Sequence, residues 1–231
     1  MIAPVRRTVV VLGAGAHVHK STVALNLAVA AAALGVETAL RDLDGASSRA
    51  LRRALGAHAD APSHAEADAP AIDSANGSVA RLPWTMAPLH LDARDPRAAL
   101  VVVDPPPRLD DEVRALVRAA DLVLVPVDAS PLARRLVRET AALAVGGAPR
   151  LALALARRLP RETDRWALVE ALDAEAPGAL LATTLPMGSA PRGRGRTDAA
   201  RLYAPRTAAA RAYATLVRAL GLLPAVEVVR D

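Results

Sequence analysis

A chain of 231 residues has room for one large domain or two small ones, and with 52% hydrophobic residues it can bury a sizeable core. Only 2% is aromatic and Phe is absent, so that core is built from Leu, Val and Ala, and nucleic-acid binding by stacking bases on aromatic platforms is disfavoured. The lack of cysteine excludes disulfides, iron–sulfur clusters and thiol nucleophiles, while the net charge of +5 is carried almost wholly by arginine, because Lys20 is the sole lysine.

Thr8 to Leu12 is a β-branched and aliphatic run ending at Gly13, and an Ala/Leu/Val segment from about Ser21 to Leu34, stopped by Gly35, follows it. That order reads strand, loop, helix. The apolar stretch from Val23 to Val36 contains Asn26 and falls short of the roughly 20 residues of a membrane span, so a buried helix is expected and no membrane partner. Arg6 and Arg7 precede an apolar run too short for a signal peptide, which points to the cytoplasm.

The alternation continues. Strands are expected over Glu37 to Leu43, Ala98 to Val103, Leu122 to Val127, Arg150 to Ala156 and Ala179 to Leu185. Helices are expected over Ser47 to Leu55, Asp110 to Ala120, Pro131 to Ala144, Thr163 to Ala174 and about Thr207 to Leu220. Short, unalternating apolar strands separated by helices predict a mostly parallel sheet covered on both faces: a doubly wound α/β fold, here a single domain over residues 1–231. Two stretches break the pattern. Gly56 to Ser78, rich in Ala, Asp, Ser and His, reads as a long surface loop with room for a short helix, and its His58, Asp60, His64 and Glu66 read as solvated side chains rather than a metal set. Gly188 to Arg196, "GSAPRGRGR", reads as a basic loop before the last helix.

The first loop, "GAGAHVHKST" at residues 13–22, carries most of the chemistry. A phosphate loop needs inward backbone N–H groups at a helix N-terminus, glycine where the backbone approaches phosphate, a lysine for the β/γ oxygens and a hydroxyl for Mg²⁺. Lys20, Ser21 and the strand-to-helix setting supply three of these, but in the pattern G-x-x-x-x-G-K-S/T the glycines fall on Ala14 and His19. Gly13, Gly15, His17, His19, Lys20, Ser21 and Thr22 are the candidate nucleotide contacts. Histidine reaches positive φ several-fold more readily than most non-glycine residues, so the loop can survive geometrically. Imidazoles that donate to phosphate would make binding strengthen as pH falls toward their pKa, and a His-x-His metal pair is another use for His17 and His19. The loop thus reads either as a working phosphate cradle or as the remnant of one. A lone lysine in an arginine-rich chain is expected where a compact ammonium fits between phosphates and a planar guanidinium does not, although no second lysine exists against which to set chance.

"RDLDGAS" places Asp42 and Asp44, and "LVVVDPPP" places Asp104, at the carboxyl ends of expected strands, where open α/β sheets bind their ligands. Carboxylates beside a phosphate loop hold Mg²⁺, often through water, or orient the attacking water. The ordinary alternative is a helix N-cap or a turn, which suits Asp42 better than Asp104 with its three following prolines.

"HKSTVALNLA", "ETALRDLD", "LVVVDPPP" and "ADLVLVPVDASPLARR" together resemble, in the same order, the blocks of the ParA/MinD-type partitioning ATPases, over about residues 5–220. The resemblance implies a P-loop NTPase-type fold, ATP and Mg²⁺ as cofactors, and a homodimer that encloses two ATP molecules. It also implies nonspecific DNA binding, nucleoid association, and release after hydrolysis stimulated by a ParB-like or cargo adaptor protein. By position, Lys20 would contact the phosphates, Asp44 would position or activate the water, and Ser21, Asp42 and Asp104 would serve the Mg²⁺. The chain departs from the family at several points: the signature lysine falls on Gly15, the glycine pair on Ala16 and His17, the last loop glycine on His19, and the Pro-Gln after D-x-D on Gly45-Ala46. The asparagine that reads adenine has no counterpart near residues 156–158. A cation supplied in trans stabilises charge developing in the transition state, so its loss implies weak or partner-dependent hydrolysis.

Between Arg192 and Arg218 stand seven arginines, at 192, 194, 196, 201, 206, 211 and 218, against one acid, Asp198. Arg192, Arg194, Arg196, Arg211 and Arg218 are the candidate DNA contacts; the last two, seven residues apart, share a helix face. A solvated face of an arginine-rich protein reads the same way. The alternative function is a non-enzymatic pseudo-ATPase adaptor that keeps the fold and partner surface but binds no ATP. An amidoligase of the related synthetase group is disfavoured, with no chain left for a glutaminase domain and no cysteine nucleophile.

Overall fold

The computed structural model describes residues 6–13, 20–43, 71–73, 79–81, 84–86, 98–144, 149–156, 162–185 and 207–223. In chain order its elements are β1 (Arg7–Val11), α1 (Lys20–Ala33), β2 (Thr38–Asp42), β3 (Ala71–Asp73), β4 (Val79–Arg81), β5 (Trp84–Met86), β6 (Leu100–Asp104) and α2 (Asp111–Ala119). There follow β7 (Leu122–Val127), α3 (Pro131–Leu143), β8 (Arg150–Ala156), α4 (Glu162–Glu175), β9 (Leu180–Leu185) and α5 (Ala208–Ala219). The expected helix Ser47 to Leu55, the basic loop Gly188 to Arg196 and most of Gly56 to Ser78 lie outside the described residues.

Seven strands form one sheet in the order β5-β2-β6-β1-β7-β8-β9, and every neighbouring pair is parallel. The chain therefore leaves β1 for β2, returns to insert β6 between them, and then passes to β7 on the other side of β1. Strands buried on both faces explain the continuous Val and Leu runs, and β6 and β7 are buried along their whole length. The core divides with the pleat. Val9, Val11, Leu40, Leu100 and Val102 pack on one face with α1 and α5, whereas Val10, Ala39, Val101 and Val103 pack on the other with α2, α3 and α4.

α1 is apolar on every side and nearly every side chain from Val23 to Ala33 is buried, because it is enclosed between the sheet and α5. It ends where Gly35, at φ 86°, lets the chain turn back: the Gly35 and Val36 N–H groups donate to the carbonyls of Ala32 and Ala31 at 2.9 and 3.0 Å. The same device ends α5 at Gly221, and here two arginines add to it. Arg7 donates to the Gly221 carbonyl at 2.5 Å and Arg150 to the Leu220 carbonyl at 2.8 Å, placing cations at a helix C-terminus. These contacts tie the end of α5 to the edge of the sheet where β1 and β8 begin.

The observed elements lie within two residues of the expected ones wherever both exist, with one correction. Inside the stretch expected as a loop, Gly56 to Ser78, Ala71–Asp73 is a strand; it pairs antiparallel with Val79–Arg81 just beyond that stretch, and Trp84–Met86, where no element was expected, adds a parallel edge strand to β2. Three-residue strands are too short to display a period. Asn76-Gly77 between β3 and β4 is the hairpin signal that the sequence does carry there.

Candidate functional site

The site builds from the carboxyl ends of the central strands. Asp42 closes β2 and Asp104 closes β6, and the two are direct partners in the parallel register, with the Leu43 N–H donating to the Asp104 carbonyl at 2.9 Å. Paired positions project to one face, and Leu40, Leu100 and Val102, two or four residues earlier, belong to the cluster under α1. Both carboxylates therefore lie on the face that α1 covers. Both are buried, Asp42 at 2% and Asp104 at 0% exposure.

Lys20 is the first residue of α1, and the helix begins at that same end of the sheet. Its ammonium donates to Asp104 Oδ1 and to the Pro105 carbonyl, and the side chain is only 6% exposed. A buried lysine is normally found only when paired, and here the pair bridges residues 84 apart in sequence. Ser21 and Thr22 follow in the first turn, half-buried, and the Asn26 amide secures the Thr22 carbonyl at 2.8 Å. Backbone N–H groups and the positive end of the helix dipole converge at such a start, which suits an anion.

Of the residues singled out from sequence, the structure brings Lys20, Asp42 and Asp104 together, with Ser21, Thr22 and the buried Gly13 alongside. Asp44, Gly15, His17 and His19 lie outside the described residues, as do Arg192, Arg194 and Arg196, and His58, Asp60, His64 and Glu66. Arg211 and Arg218 are exposed on α5. Arg218 stands near the edge where β1 and β8 begin, at the opposite end of the sheet from Lys20.

Sequence reasoning missed two features. The first is the Pro105 carbonyl, for which no side-chain pattern gives a signal. The second is a cleft of about 190 Å³ beside Gly13, walled by Leu12, Pro106, Pro107, Leu109 and Leu136 and rimmed by Arg108 and Arg135. Its only sequence signal is the proline run after Asp104. The block "VDASPLARR" has a local structural use: Ser130 caps α3, its hydroxyl accepting the Ala133 N–H at 3.1 Å, Pro131 takes the first helical position, and Asp128 accepts the Ser130 N–H at 3.0 Å. Asp110 caps α2 likewise, and the Val113 N–H, followed by the Arg108 guanidinium, holds its carboxyl below the ordinary range.

Two carboxylates side by side are the oxygen donors a hard divalent cation prefers. Among the described residues no three metal-ligating side chains converge, so a cation on Asp42 and Asp104 would take its remaining ligands from elsewhere, as Mg²⁺ does from water and phosphate. Among the same residues no helix is long and apolar enough to cross a membrane.

No family model and no curated protein matches the chain. Solved structures do. A chain of the MinC:MinD cell division protein complex from Aquifex aeolicus is 17% identical, covering 94% of this chain and 96% of that one at a TM-score of 0.65. ParA of pNOB8, bound to nonspecific DNA, is 12% identical over 94% and 98% at 0.65. A plasmid partition protein from Borrelia burgdorferi B31, bound to AMPPNP, is 15% identical over 94% and 98% at 0.62. Over nearly its whole length the chain has the fold of the ParA/MinD-type proteins.

Proposed function

We propose that the chain is a ParA/MinD-type protein for DNA partitioning or intracellular cargo positioning, a single domain over residues 1–231 that binds ATP with Mg²⁺ and nonspecific DNA. The observation that carries this reading is the meeting of the sole lysine, at the start of α1, with two buried carboxylates at the ends of β2 and β6. Lys20 neutralises phosphate charge, the first turn of α1 offers its N–H groups and the Ser21 hydroxyl, and Asp42 and Asp104 hold the cation, partly through water. Bound Mg²⁺ supplies charge neutralisation on the phosphates. Asp44 orients the attacking water, and Gly13, Gly15, His17, His19 and Thr22 complete the loop around the nucleotide.

The neighbours support the wider assignment by what each of them is bound to: AMPPNP in the Borrelia protein, nonspecific DNA under the pNOB8 ParA, and MinC with MinD. Carried to this chain, they suggest a homodimer on nucleoid DNA, through Arg192, Arg194, Arg196, Arg211 and Arg218, with a ParB-like or cargo adaptor partner. Without a lysine at Gly15 to act across the dimer, hydrolysis is weak or waits for the partner.

The deciding experiment titrates labelled ATP with Mg²⁺ into the wild type and into Lys20→Ala. Saturable micromolar binding, lost in Lys20→Ala, is expected. If the wild type does not bind at near-millimolar nucleotide, the chain is instead a non-enzymatic adaptor. The histidine-bearing loop favours that second reading, and restoring glycine at His17 and His19 would then create binding.

A further inference from the structure

The ammonium of Lys20 and any cation at the site draw on the same carboxylate. Lys20 sits on Asp104 Oδ1, with the Pro105 carbonyl as a second acceptor, and both side chains are almost fully withdrawn from water. Even on the two oxygens of one carboxylate, an ammonium and a divalent cation repel each other strongly in such surroundings, because their charges are far less screened than in water. The seat is also rigid. Pro105 leads into Pro106 and Pro107, whose rings fix the backbone that carries the acceptor carbonyl. Lys20 is the mobile party, a charge on a flexible four-carbon stem anchored at the start of a buried helix.

We infer that Asp104 and the Pro105 carbonyl form a latch for Lys20, and that a divalent cation is its key: by taking the Asp104 carboxylate it drives the ammonium off its seat and toward phosphate. The inference rests on the nucleotide-binding reading above and adds regulation to it. Cation and nucleotide then bind with positive coupling, because a nucleotide arriving without metal meets a lysine already engaged, and its apparent affinity falls by the fraction of protein unlatched.

The sequence offers a direct probe. Lys20 is the sole lysine, so an amine-directed acylating reagent, followed by mass spectrometry of the peptides, reports on this one ε-amine apart from the chain's α-amine. The whole chain is labelled in EDTA and then across millimolar Mg²⁺, as wild type and as Asp104→Asn, which keeps the shape and removes the charge. In EDTA, Lys20 of the wild type is expected to react about tenfold more slowly than Lys20 of Asp104→Asn, the factor by which a well-populated latch withholds the amine. Mg²⁺ is expected to accelerate the wild type saturably and to leave Asp104→Asn unchanged. Equal rates for the two proteins in EDTA, or a wild-type rate indifferent to Mg²⁺, overturn the latch. Should Asp104→Asn lose the wild-type circular dichroism, the Mg²⁺ titration of the wild type decides alone. Adding ATP to the wild type in Mg²⁺ separates the two ideas: failure of ATP to protect the Lys20 that Mg²⁺ has exposed removes the nucleotide-binding reading, while the response to Mg²⁺ alone still judges the latch.

Discussion

Lys20 has two neighbours that a lysine on a solvated helix face would lack, a carboxylate with no solvent exposure and a proline carbonyl. Removing one partner of a buried pair usually costs more than the pair contributes, because the remaining charge stays desolvated. Lys20→Met is therefore expected to lower the free energy of unfolding by about 3 kcal/mol or more, and combining it with Asp104→Asn to recover part of that loss. Urea unfolding of the wild type, both single variants and the double variant measures the coupling. Additive losses would mean that the two side chains do not act as a pair. Asp42, one strand away in register and also buried, is the second carboxylate of the candidate site.

Caps and turns decide where the elements stop; of these, the Gly35 stop was legible in the sequence. Gly35 ends α1, Gly221 ends α5, and Ser130 with Pro131 begins α3, each a residue type whose local geometry the position requires. Ser130 also tests what a family-like block is for. Loss of its hydroxyl in Ser130→Ala is expected to cost about 1 kcal/mol by thermal unfolding, with Ser130→Asp nearly neutral, since aspartate caps as well as serine. ATP affinity is expected to stay unchanged in both variants. A changed affinity at unchanged stability would instead make Ser130 a ligand contact. β3, β4 and β5 were not readable at this scale. A three-residue strand exists only because a neighbour completes its hydrogen bonds, as β2 does for β5 through Leu40, Arg41 and Asp42.

At the scale of the whole molecule, charge and site separate: the Lys20 cluster lies at the carboxyl ends of the strands, while α5 runs to the opposite edge, held there by Arg7 and Arg150. Arg211 and Arg218 are exposed along that helix, where the proposed contacts to DNA phosphates would lie. Arg211→Ala and Arg218→Ala are each expected to flatten the plot of log affinity against log salt by about 0.9 and to do so equally on unrelated DNA sequences. A slope unchanged in both variants would return α5 to the role of a solvated helix. The sequence by itself determined the alternation of strands and helices, because continuous apolar runs, glycine stops and N-caps are local instructions that a few neighbouring residues carry. It also marked Lys20, Asp42 and Asp104 as chemically active types. Only the tertiary structure decided that they meet. Asp104 reaches Lys20 because β6 inserts between β2 and β1, and that strand order follows from how helices on both faces bury the sheet, a condition no single segment encodes.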